Sequence, residues 1–170
     1  MRFRILTQNG LIFQSQVSYL IPIFGVILVF MCAKERLVQL NVSNIRDLSM
    51  LVHGYEDRIV SERIFKDKYW EPFETKILVS SLKNGHFFLD IGANIGYFTI
   101  LAAKIIGEQG FVYSFEPEPM NFRLMLKSLS YNKLSNRVKA MRIALSNRDS
   151  EGKLYLSTDN FGDHQLHPDD

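Results

Sequence analysis

Phe87 to Pro119 reads FFLDIGANIGYFTILAAKIIGEQGFVYSFEPEP, and its punctuation spells a βαβ unit. The apolar run Phe87-Phe88-Leu89 ends on an acid, Asp90. A glycine-bearing turn follows, Gly92-Ala93-Asn94-Ile95-Gly96, and then a helix-period segment from Tyr97 to Ile106 that Gly107 stops. A second apolar run, Phe111 to Phe115, ends on Glu116. Strand, glycine turn, helix, strand and acid in that order form the outline of a nucleotide-binding unit.

Each part has a chemical reason. Glycines in a βα turn let the backbone approach a ligand closely. The helix that starts after Gly96 aims its free N–H groups and positive dipole end at the same crevice. An acid at the tip of the next strand accepts hydrogen bonds from a ribose diol, and Glu116 follows Gly96 at the usual offset of about 20 residues. The expected ligand is therefore an adenosine-type nucleoside.

The missing features narrow it further. A dinucleotide site uses G-x-G-x-x-G, but Asn94 stands where the middle glycine would be, and no G-x-x-x-x-G-K-[ST] phosphate loop occurs. Asp90 at the turn repels a phosphate and suits a cationic amino acid moiety. Asn94 tolerates the left-handed backbone that a glycine would otherwise supply. An acid-G-x-x-x-G turn with a ribose-binding acid looks like a site for S-adenosylmethionine (SAM). An NAD(P)-binding oxidoreductase shares the outline but not the glycine spacing.

Phe88-Leu89-Asp90-Ile91-Gly92-Ala93-Asn94-Ile95-Gly96-Tyr97-Phe98-Thr99, followed by Phe115-Glu116-Pro117, strongly resembles the FkbM-type SAM-dependent methyltransferases. The resemblance runs from about Asp47 to the end and takes in Asp57-Arg58-Ile59-Val60-Ser61, Asn121-Phe122, Asn132, Ala144-Leu145-Ser146 and Asn160-Phe161-Gly162. It implies an α/β fold with a Rossmann-like class I methyltransferase sheet, SAM as cofactor and O-methylation of a sugar or polyketide-type hydroxyl. Carried onto this chain, the cofactor residues are Asp90, Gly92, Ala93, Asn94, Gly96, Tyr97, Glu116, Pro117, Ala144 and Leu145. The resemblance also leads one to expect further strands after Asn160, one of them ending in an acidic D-x-E-G-x-E-like motif. A partial sheet, incomplete at the C-terminus, is the expectation, and a non-catalytic membrane-anchored fragment is the rival reading.

Composition excludes other classes. The chain has 170 residues, 20 basic and 18 acidic, for a net charge of +2, which argues against an electrostatic nucleic-acid surface. The expected acceptor is a small molecule or glycan. Cys32 is the single cysteine, and His53, His86, His164 and His167 lack metal-ligand spacing, so no metal is expected. His164 and Asp163, in a polar tail, are the candidates for a catalytic base.

Val17 to Ala33 carries no charge and, extended back to Leu11, is long enough to cross a bilayer at about 20 residues per span. The expectation is an N-terminal hydrophobic helix over residues 1–36, a possible membrane anchor, before a domain over 37–170. A buried helix is the alternative, while Val29-Phe30-Met31-Cys32 lacks the small residues of a cleavage site. With SAM as cofactor, the domain would face the cytoplasm.

The remaining segments are read from periodicity. Leu48–His53 and Arg58–Phe65 read as strands around a Gly54–Asp57 turn, with Asp57 a turn-capping candidate. Trp70, Phe73, Ile77, Leu78 and Leu82 share the spacing of one buried helical face, opened by Pro72, with Glu71 a candidate for the site. Pro119 opens a helix to about Tyr131, Val138–Ile143 reads as a third strand, and Gly152–Thr158 as a half-exposed one.

Overall fold

A computed structural model describes residues 35–146, 152–155, 157 and 160–162, with the backbone of Ile5–Leu6, Pro22–Ile23 and Val26–Ile27. The central stretch folds as its punctuation predicts. We label the two strands that precede it β1 (Glu35–Gln39) and β2 (Ser49–His53), and the helices between, α1 (Val60–Asp67) and α2 (Pro72–Ser81). Then come β3 (Phe87–Ile91), α3 (Tyr97–Ile106), β4 (Phe111–Phe115), α4 (Pro119–Tyr131) and β5 (Val138–Met141).

β3, β4 and β5 form a parallel sheet in that order, with Phe87 opposite Phe111, Ile91 opposite Phe115 and Phe115 opposite Met141. Because the order never reverses, both crossover helices fall on one face. Side chains confirm it: Ser114 of β4 lies 2.8 Å from the Thr99 hydroxyl of α3 and donates to Met125 Sδ of α4 at 3.1 Å. Ile100, Leu101 and Ile106 of α3 and Leu124, Met125 and Leu129 of α4 are fully buried there with Val112. The opposite face carries Phe87, Leu89, Ile91 and Tyr113, all exposed, and β3 is an edge strand among the described residues.

β1 and β2 form an antiparallel hairpin whose inner residues Val38, Met50 and Val52 join the same core. The outer edge of β2 is closed by side chains rather than by a third strand. Ser49 N–H donates to Asn132 Oδ1 at 3.0 Å, Leu51 N–H to Ser128 Oγ at 2.9 Å and His53 N–H to Ser61 Oγ at 3.1 Å. Ser128 is on α4 and Asn132 is its C-cap one turn further on, so one helix face satisfies a sheet edge that would otherwise pair with another chain.

Three expectations need correction. Arg58–Phe65 is not a strand: Val60–Asp67 is α1, and β2 pairs instead with β1. The Asp57 carboxylate accepts the N–H groups of Ile59, Val60 and Ser61 at 3.4, 3.3 and 2.8 Å, which satisfies donors of a helix start. Val60 and Ile64, one turn apart, are its buried apolar residues, and Ser61 is buried beside them. The aromatic stripe of α2 is not core throughout, since Phe73 is 69 % and Ile77 49 % exposed, while Thr75 is buried and hydrogen-bonded.

The N-terminal hydrophobic helix is the third. Most of Val17–Ala33 lies outside the described residues, but Pro22–Ile23 pairs with Val26–Ile27 as antiparallel strands. Proline lacks the N–H an interior helical turn needs, and glycine, present at position 25, costs about 1 kcal/mol in a helix. Among the described residues, no helix is long and apolar enough to cross a membrane. β1 begins at Glu35, so residue 36 falls within a strand. Of Gly152–Thr158, Gly152–Lys153 is a strand, paired in parallel with Ile5–Leu6.

Candidate functional site: the β3–α3 turn

The site grows from the end of β3. Gly92 and Ala93 both donate their N–H groups to Phe115 O, at 2.9 and 3.0 Å, which draws the turn over the tip of β4. Gly92 (φ 77°), Asn94 (φ 52°) and Gly96 (φ 87°) are all left-handed. The two glycines differ in kind. A Cβ on Gly92 would meet nothing within 4 Å, whereas one on Gly96 would lie 2.5 Å from Met125 Cγ and 2.9 Å from its Cβ. Gly92 therefore faces open space and Gly96 lets α3 approach α4.

Asn94 takes the left-handed conformation that its residue type tolerates, and its Oδ1 accepts the N–H of the next residue, Ile95, at 2.7 Å. Its own N–H donates to Glu116 Oε2 at 2.7 Å, and the other oxygen of Glu116 accepts the Glu118 N–H at 2.8 Å. Glu116 is 4 % exposed. Burial is the main force on its carboxyl, assisted by Glu118 and Asp90 and opposed by the two N–H donors, and it is pushed up to about 7. Each carboxylate oxygen keeps a lone pair beyond the one engaged.

Asp90 is also buried and accepts from the Thr99 hydroxyl. Burial raises its carboxyl and the Thr99 donors lower it, with burial the larger effect. Thr99 thus anchors the acid at the end of β3. Glu118 caps α4, accepting the Asn121 N–H at 2.6 Å, with Pro119 at the first helical position. Burial raises Glu118 too.

A cleft of about 330 Å³ opens beside the turn. Gly92, Ala93, Asn94 and Tyr97 form one wall, Trp70 and Glu71 a second, and Asn160 and Gly162 a third. Tyr97 is buried, and its hydroxyl lies 3.1 Å from Thr75 Oγ1, which donates to Trp70 O at 2.5 Å, so α3 is strutted to the start of α2. Burial raises the Tyr97 phenol. Glu71 has φ 41° and ψ 78°, a left-handed backbone unusual for a non-glycine residue and of the sort found at functional sites. Desolvation and the neighbouring Glu74 push its carboxyl up.

Four of the residues carried over for the cofactor, Gly92, Ala93, Asn94 and Tyr97, line this cleft together. Asp90, Gly96 and Glu116 hold the turn and its helix in place and are not among the residues that line the cleft. Pro117 is partly buried after β4; Ala144 is buried and Leu145 partly so beyond β5, and none of the three lines the cleft. His164 and Asp163 lie outside the described residues. Trp70, read as core, and Ile59 and Val60, read as strand, are cleft residues that periodicity missed. Pro72 carried the signal for Trp70, because it places residues 70 and 71 at a helix start, where function concentrates. No group of three or more potential metal ligands occurs among the described residues.

No family model matches the chain. It is 28 % identical over 102 residues to the methyltransferase sdnD of Sordaria araneosa, covering 60 % of this chain and 36 % of that protein. The structure is similar to a SAM-dependent O-methyltransferase of Thermotoga maritima (TM-score 0.41, 20 % identity, 55 % of this chain and 36 % of the other). It is also similar to the tRNA m1G37 methyltransferase of M. jannaschii (TM-score 0.42, 16 % identity, 61 % and 30 %). The chain thus spans about a third of the length of the curated relative it matches.

Proposed function

We propose that this chain carries the cofactor-binding part of a SAM-dependent methyltransferase. The observation that carries the reading is the open, left-handed Gly92 beside the start of α3, with Asn94 in place of a second close glycine. The space where a Gly92 Cβ would stand lets a ligand lie against the backbone. A nucleoside suits this place better than a pyrophosphate, because the acids Asp90 and Glu116 stand at the carboxyl ends of β3 and β4 beside the turn.

When bound, SAM supplies a methyl group on a sulfonium, so the hard chemistry resides in the cofactor. The chain's residues hold and orient it. Gly92 to Asn94 would cradle it, Glu116 would accept from the ribose hydroxyls through its remaining lone pairs, and Trp70 and Tyr97 would exclude water. The resemblance to FkbM-type enzymes supports a hydroxyl acceptor on a small molecule or glycan. Glu71, at the rim with a raised carboxyl, is placed to take a proton from such a hydroxyl.

Trp70, the single tryptophan, reports on the cleft directly. SAM is expected to change its fluorescence saturably. Gly92→Ala should weaken that titration by at least about tenfold while costing only about 1–2 kcal/mol of stability, the penalty of a left-handed alanine. Equal SAM affinity in the folded Gly92→Ala protein would remove the turn from the site.

A further inference from the structure

The cleft wall formed by Asn160 and Gly162 is held by an arrangement of buried polar groups that the SAM reading does not use. Between these two residues, both main-chain groups of Phe161 are engaged by side chains distant in sequence. Its N–H donates to Asp57 Oδ1 at 3.4 Å and its carbonyl accepts from Asn121 Nδ2 at 2.9 Å. Its ring meets the His53 ring edge-on, with centroids 4.8 Å apart at 83°. Asp57, Asn121 and His53 are all buried.

These anchors are themselves fixed. With the Asn121 amide nitrogen committed to Phe161, its oxygen faces His53 Nε2 at 2.7 Å, and the network assigns the proton to that ring nitrogen. The Asn121 N–H is held by Glu118 at the start of α4, and the His53 N–H by Ser61 of α1. Asp57 spans the start of α1 and the clasp at once. Three elements therefore converge on one residue, Phe161, whose neighbours face the cleft. Gly162 fits tightly there: a Cβ would come within 2.8 Å of Val60 Cγ2 and 3.1 Å of Asn94 Nδ2.

We infer that Asp57, His53 and Asn121 are positioning residues that seat Asn160–Gly162 as a clasp against Asn94, completing the cleft for its ligand. This rests on the SAM reading for the ligand but not for the clasp, so each can fail alone. Asn132 supplies the control. It bonds α4 to the β2 edge through Ser49, as Asn121 bonds it to His53, and it makes no contact with the clasp.

The test uses the whole chain and the fluorescence of Trp70. In ligand-free protein, Asn121→Ala and Gly162→Ala should each raise acrylamide quenching of Trp70 by about twofold, as expected of a local opening, while Asn132→Ala leaves it unchanged. In a SAM titration, the first two should weaken binding about tenfold, the equivalent of one lost buried hydrogen bond, and Asn132→Ala should leave affinity unaltered even as it lowers the thermal midpoint. If Asn121→Ala does not fold, Gly162→Ala carries the test, since its Cβ meets Val60 and Asn94, the side chains against which the clasp seats. Quenching at the wild-type level in the folded variants overturns the clasp, as does full SAM affinity. A wild-type chain that shows the quenching difference but binds no SAM keeps the clasp and rejects the ligand.

Discussion

Gly96→Ala is expected to cost roughly 3–5 kcal/mol, about 1–2 from the left-handed backbone and the rest from overpacking. The backbone at φ 87° already disfavours alanine, and the added methyl meets Met125 at three atoms, including Cα at 3.3 Å. Met125 is fully buried between α3 and the sheet, so its side chain has nowhere to retreat. A loss of that size approaches the whole stability of a small domain. Urea denaturation of Gly96→Ala beside Gly92→Ala isolates the packing effect, because the two positions share the backbone strain and only the first has a neighbour. Equal midpoints for the two variants would show that α3 and α4 are not in contact at Gly96.

The second large effect concerns Glu116. Its carboxyl, at about 7 when folded against an ordinary 4.5, holds a proton that the unfolded chain releases at lower pH. The stability gained is complete below 4.5 and is lost as pH rises through 7, by up to about 3 kcal/mol. Asp90 and Glu118, both raised by burial, act in the same direction. Glu116→Gln removes one contributor, so its stability should fall less than the wild type's between pH 5 and 8 in urea titrations. Ligand affinity runs the other way. Ribose hydroxyls donate to the ionised carboxylate, so SAM binding should strengthen as pH rises through 7 and release a proton. Glu116→Gln should flatten that dependence and weaken binding at pH 8 by about 1.5–3 kcal/mol, the value of a hydrogen bond to a charged group. A variant that keeps the wild-type pH profile would place the ribose elsewhere.

What could be read in advance divides along physical lines. α3 ends at Gly107 and β4 at Glu116, as their residues say they should, because glycine punctuation and apolar period are local properties. The left-handed turn at Asn94 is equally local. α1 was hidden because its start depends on the Asp57 carboxylate bonding three N–H groups, while its residue pattern, Arg58-Ile59-Val60-Ser61-Glu62, suits a strand as well. β1 was hidden because antiparallel pairing joins residues that spacing does not relate. Phe73 and Ile77 obey a helical period yet lie exposed, since period says which residues share a face and not what covers it. The meeting of Asp57, Asn121 and Phe161 is tertiary throughout, and no spacing rule reaches it.

Calorimetric titration of SAM into the 170-residue chain, with NAD as the control, tests the central claim most directly. Saturable SAM binding with no heat from NAD is the predicted result. A folded chain that binds NAD, or neither ligand, would contradict the assignment of the Gly92–Gly96 turn to SAM.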